Sequence, residues 1–131
     1  MIEFKAVAAT LPATDWERAK AWYAEKLGLK PATEDEGGAY YELGNTGFLL
    51  YPSQFAGTNQ ATAAGFGVDD VPGAVARLRE NGVVFEEYDL PGLKTEAGLA
   101  TMEVAGRTMY GAWFKDSEGN IIALEDATQN R

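Results

Sequence analysis

Ala112-Trp113-Phe114-Lys115-Asp116-Ser117-Glu118-Gly119-Asn120-Ile121 holds the end of one apolar run, a polar break, and the start of another. The break, Asp116-Ser117-Glu118-Gly119-Asn120, has the composition of a turn, and Gly119 is available for left-handed backbone that other residues enter only at a cost. It predicts a hairpin joining strands over residues 108–115 and 121–125. Side chains alternate along a strand, so pairing across this turn sets Trp113 opposite Ala123 and turns Phe114 to the other face.

Working back from the hairpin, two helices are marked. One opens at Thr14-Asp15-Trp16-Glu17, read as a capping box with Thr14 as cap and Glu17 reaching back. It places Trp16, Ala19, Tyr23 and Leu27 on one face and stops at Gly28. The other opens at Asp69-Asp70-Val71-Pro72, carries Val71, Val75 and Leu78, and stops at Gly82. Further strands are expected at 4–10, 32–36, 39–43, 47–51, 62–68 and 83–88, with turns at Gly37-Gly38 and Gly44-Asn45. The order is β-α-β-β-β, twice. At the spacing that sets Asp15 on Asp70, Ala19 falls on Ala74, Ala21 on Ala76 and Glu25 on Glu80, and the shared order of elements carries the repeat better than these matches do. The expected fold is α+β, one domain over residues 1–131 built from two modules, 1–55 and 61–131.

Composition narrows the chemistry. The chain has 131 residues, 46% hydrophobic and 24% charged, which suits a folded globular protein. It has no cysteine and no histidine, so thiolate chemistry, imidazole bases and the commonest transition-metal ligands are all excluded. Twenty acidic residues against eleven basic ones, net −9, argue against nucleic acid as a partner. No apolar run approaches the roughly 18 residues of a membrane span, and Met1-Ile2-Glu3-Phe4-Lys5 lacks the layout of a secretory leader, so a cytoplasmic location is expected. No cofactor is expected: Gly65-Phe66-Gly67 lies inside a strand and lacks the third glycine of a dinucleotide fingerprint.

Three stretches resemble the vicinal-oxygen-chelate superfamily of glyoxalases, bleomycin-resistance proteins and dioxygenases. They are Asp15-Trp16-Glu17-Arg18-Ala19 through Trp22-Tyr23 to Leu27-Gly28-Leu29, then Phe66-Gly67-Val68-Asp69-Asp70-Val71, and the closing hairpin already quoted. The resemblance implies two βαβββ modules whose eight strands form a curled mixed sheet around a cup, usually within a homodimer. It also places the family's four metal-ligand positions at Ala8, Leu50, Ala63 and Ala123, none of which can bind a metal. No metal site is expected.

Strand parity then populates the cup. Ala8, Ala63 and Ala123 bring Ile121 and Glu125 with them, Trp113 stands opposite Ala123, and Phe48 joins Leu50. Of the adjacent tyrosines, Tyr40 is assigned inward with Glu42, because the alternative would press an unpaired carboxylate beneath a helix. An apolar cup with aromatic walls and the carboxylates Glu42 and Glu125 suits an aromatic or cationic small molecule. Core packing is the competing explanation for the same aromatics. Two other functions are open: a metal-free lyase or isomerase with Glu42 or Glu125 as general base, and a regulatory module without a ligand. Residues 89–98 are expected to be a lid over the cup or an ordinary surface loop.

Overall fold

Each half of the chain builds a four-stranded sheet from one strand, one helix and three further strands, as the repeat requires. The computed structural model describes residues 1–127, so the last four residues of the second module lie outside the description. The elements run β1 (Ala9–Ala13), α1 (Trp16–Trp22) continued by a π-helical turn (Tyr23–Leu27), β2 (Thr33–Asp35), β3 (Gly38–Leu43) and β4 (Thr46–Pro52). There follow β5 (Thr62–Val68), α2 (Val71–Glu80), a small hairpin of β6 (Asp89–Leu90) and β7 (Leu93–Lys94), then β8 (Ala100–Val104), β9 (Arg107–Lys115) and β10 (Ile121–Asp126). The sheet orders are β1-β4-β3-β2 and β5-β10-β9-β8. In each, the first and last strands pair in parallel and the other pairs are antiparallel. β1 and β5 lie side by side without sharing a ladder, so the eight strands form two mixed sheets that do not join within the chain.

Three elements differ from the sequence expectation. The first strand is not 4–10 but Ala9–Ala13, and residues 1–8 run outside any strand with Ile2, Phe4 and Val7 exposed. Burial moves it, because Leu11 and Ala13 are the side chains that reach the core. Pro12 is tolerated because β1 is a sheet edge. Residues 83–88 contribute only an isolated bridge, Phe85 to Phe114, and the strand beside β9 is β8 instead. A two-residue turn, Ala105-Gly106, joins β8 to β9 with both residues at positive φ. Finally, Asp15 rather than Thr14 caps α1, its carboxylate accepting the Arg18 N–H at 3.1 Å, as Asp70 accepts the Gly73 N–H for α2.

Helix α1 lies between the two sheets. Tyr23 sits 5.8 Å from the Tyr41 ring and 5.5 Å from Phe48 in the first sheet, while neighbouring Trp22 stacks on Phe114 of the second at 6.1 Å. One core therefore receives Leu11, Tyr41, Phe48 and Leu50 from one sheet and Ala112, Phe114, Ile122 and Leu124 from the other.

The hairpin turn that opened the sequence reading fastens this helix. Gly119 takes φ 87°, and Asp116 holds the turn by accepting the N–H groups of Glu118 and Asn120, both at 2.9 Å. Asp116 also accepts the Tyr23 hydroxyl at 2.6 Å, and Asn120 donates to the Pro12 carbonyl at 2.8 Å. Burial, and then the negative charge of Asp116, push the Tyr23 phenol far above its ordinary range, so it remains a donor. Glu118 reaches the start of α1, where one carboxylate oxygen accepts the Thr14 and Asp15 N–H groups at 2.9 and 2.8 Å. Those amides are helix-entry donors with no intrahelical partner, so the polar turn has a structural task.

Candidate functional site

The faces of the first sheet follow from its hairpin. Gly44-Asn45 is a two-residue turn, so Leu43 pairs with Thr46, Tyr41 with Phe48, Tyr40 with Leu49 and Ala39 with Leu50. Paired residues share a face, which puts Phe48 and Leu50 with Tyr41 against α1. Both are buried, at 2% and 0% exposure, and they are core residues, not cup residues as parity had suggested. The turn length was legible in the sequence and was enough to make this assignment, because a two-residue loop opposes odd with even positions. Tyr40 and Glu42 do face away from the helix, together with Leu49. Tyr40 lies across Gly47, and Glu42 is exposed. Tyr41, on the opposite face, is buried against α1.

On the second sheet the hairpin behaves as expected. Ala123 pairs with Trp113, while Phe114 turns inward onto Trp22 and Phe85. The outward face carries Trp113, Ala123, Ile121 and Glu125. Ala123 and Ile121 are nearly covered, and Trp113 and Glu125 are half-buried. The indole lies over Gly111, where a Cβ would stand 3.4 Å from the ring, and Tyr88 meets it edge-on at 5.6 Å. The Glu125 carboxylate lies across Gly65 of β5, a position where any side chain would collide with it. Among the described residues it has no ion pair or hydrogen bond. The two positions not found in this group are Ala63, half-buried beside the irregularity where β5 meets β10, and Ala8, exposed ahead of β1.

The inward faces of the two sheets share one core with α1. Tyr40 and Glu42 lie on the outward face of the first sheet, and Trp113 and Glu125 on the outward face of the second. Tyr88 is the contributor that sequence analysis missed; it had been placed in a strand, with no signal that its ring would reach Trp113. Residues 89–98 are pinned rather than loose. Thr95 exchanges backbone and side-chain hydrogen bonds with Tyr88, and Arg79 of α2 donates to the Ala97 carbonyl at 2.8 Å.

At the positions matched to the family's metal ligands, Ala8, Leu50, Ala63 and Ala123 carry no donor atom in their side chains, and Leu50 points into the core. Among the described residues no three acidic side chains gather at one point.

The fold and this site define a class. Residues 5–124 match the model of the Glyoxalase/Bleomycin resistance protein/Dioxygenase superfamily, and the chain belongs to that family. Solved structures of like fold include a bleomycin resistance determinant encoded on transposon Tn5, 17% identical, TM-score 0.65, covering 94% of this chain and 98% of that one. A lactoylglutathione lyase from Agrobacterium tumefaciens is 17% identical, TM-score 0.66, covering 95% and 96%. A glyoxalase family protein from Enterococcus faecalis is 20% identical, TM-score 0.68, covering 94% and 98%. At these identities the likeness is one of fold. No individual curated protein matches the chain by sequence. Among the described residues no helix is long and apolar enough to cross a membrane.

Proposed function

We propose that this protein is a metal-independent, small-molecule-binding member of its family, acting in the cytoplasm as a homodimer and taking an aromatic or cationic compound against Trp113. The observation that carries the proposal is the face itself: an indole beside a glycine, a tyrosine ring meeting it edge-on, and a carboxylate two residues beyond Ala123 with no partner among the described residues. An aromatic wall with a nearby carboxylate favours a planar or positively charged ligand. Without a metal-ligating set, binding by stacking and charge is the simpler use of this face. The same free Glu125 supports a second reading, proton abstraction from a bound substrate by Glu125 or by Glu42.

A fluorescence screen of aromatic amines and cationic antibiotics, run with and without EDTA, tests the first reading. Binders are expected, EDTA should not change their affinity, and Trp113→Ala should weaken them by roughly 3- to 10-fold, the size of a stacked contact of about 0.5–1.5 kcal/mol. Binding that depends on a divalent metal, or that ignores Trp113→Ala, would sink it.

A homodimer would bring the two outward faces together. A two-fold pairing that sets one chain's first sheet against the other chain's second sheet would bring Tyr40 and Glu42 to face Trp113 and Glu125, twice per dimer. Light scattering at micromolar concentration should report twice the 14.1 kDa chain mass. A monomer that binds the screened compounds and loses affinity with Trp113→Ala would show that one face suffices and overturn the dimer.

A further inference from the structure

At the far end of β10 from the Asp116–Asn120 turn, the described residues leave the space between the two sheets open. Helix α1 occupies the end near the turn. Beyond its last turn an open groove of ≈ 1200 Å³ remains, floored by Phe66, Phe114 and Leu124 and walled by Leu27, Leu43 and Leu78. This is larger than the roughly 300–1,000 Å³ of a typical small-molecule site. It lies on the helix side of the sheets, away from the Trp113 face.

Its electrostatics run against the rest of the protein. The chain carries 20 acidic residues and a net charge of −9, yet among the described residues none that lines the groove is acidic. Among them the charged lining residue is Arg77, on the exposed side of α2. Its guanidinium has no hydrogen bond or ion pair among the described residues. Asn45 and Asn81 supply further polar atoms at the groove. A planar guanidinium with its N–H groups unspent is suited to grip a carboxylate or sulfonate with two parallel hydrogen bonds. The apolar walls suit a hydrocarbon body.

We propose that this groove is a second ligand site, separate from the Trp113 face, and that it takes an anionic amphiphile: an apolar chain or ring system with one terminal carboxylate, its head on Arg77. The preferred charge is thus the reverse of that at the Trp113 face.

Calorimetric titration with decanoate, decyltrimethylammonium and butyrate tests the site on the intact protein. Decanoate should bind in the micromolar range. The ammonium analogue should bind at least ~10-fold more weakly, since it forfeits charge-assisted hydrogen bonds. Butyrate should be at least ~100-fold weaker, having lost most of the buried hydrocarbon. Arg77→Gln, a substitution at an exposed residue with no partner to lose, should weaken decanoate about 10-fold or more and leave the ammonium analogue unchanged. Trp113→Ala should not affect decanoate, which separates this site from the one proposed above. Equal binding of the two decyl compounds, or indifference to Arg77→Gln, overturns the proposal. So does a dimer that takes up no decanoate, because the groove would then belong to a second copy, for which the exposed Ile2, Phe4 and Val7 are the available apolar side chains.

Discussion

Replacing Glu118 with alanine should lower the unfolding free energy by about 2–4 kcal/mol. The side chain has 0% exposure, although it sits in a turn. Its carboxylate accepts from Thr14 N–H, Asp15 N–H, Arg18 Nε at 2.9 Å and Nη2 at 3.2 Å, and the Ser117 hydroxyl at 2.8 Å. Removal strands two amides at the start of α1, each costing about 1–3 kcal/mol if it stays buried and unpaired. Arg18 contributes less to the loss, because its side chain is 55% exposed and recovers water. The midpoint of thermal unfolding should fall by on the order of 10 °C.

Acid titration gives an independent readout. Burial raises the Glu118 pKa, but the Arg18 guanidinium, the Asp15 amide and the Ser117 hydroxyl outweigh it and hold the group below the usual carboxylate range. A carboxylate with a depressed folded pKa stabilises the protein fully above its unfolded pKa, roughly 4.3, and that contribution is lost as pH falls through the folded value. Glu118→Gln should therefore remove part of the stability at neutral pH and flatten the acid side of the stability profile. A Glu118→Ala protein within 1 kcal/mol of the parent at neutral pH would show that the turn does not hold the helix.

Phe48→Ala should cost about 3–5 kcal/mol of stability, the usual range for emptying a buried aromatic site. Phe48 stacks on Tyr41 at 4.6 Å and touches Tyr23 at 5.5 Å and Phe66 at 5.4 Å, so three elements lose contact at once. The variant is best compared with Trp113→Ala. Phe48 supports the fold from inside, whereas the half-buried Trp113 is a ligand residue in the proposed function, so one change should lower the melting midpoint and the other the affinity. Chemical denaturation and the binding screen on both proteins separate the two effects. A stable Phe48→Ala protein that has lost its ligand would mean the faces of the first sheet are the reverse of those described.

Much of this architecture is legible along the chain because it is local. The helix starts at Asp15 and Asp70, the stops at Gly28 and Gly82, and the Gly119 turn all depend on hydrogen bonds spanning a few residues. So does the alternation that opposes Trp113 to Ala123. The repeat follows from the order of those elements, and the resemblance to the family is carried by the helix-entry and closing-hairpin stretches. The poverty of donors at the family's ligand positions is a matter of residue identity and needs no fold at all. The Gly44-Asn45 and Ala105-Gly106 turns are local too, and each specifies a register: the first separates Phe48 from Tyr40, the second pairs β8 with β9.

The mutual placement of the two modules is different in kind. It rests on contacts such as Glu118 with Thr14, 104 residues apart, Tyr23 with Asp116, 93 apart, and Asn120 with Pro12, 108 apart. No periodicity encodes them, since each partner is a plausible surface residue of its own module until the other arrives. Tertiary structure alone packs α1 against both sheets, which puts Tyr40 with Glu42 and Trp113 with Glu125 on the outward faces of separate sheets. The sequence determined what each strand and helix is and which chemistry is missing. Which faces meet was decided by long-range burial and by one carboxylate that finds its donors in the other half of the chain.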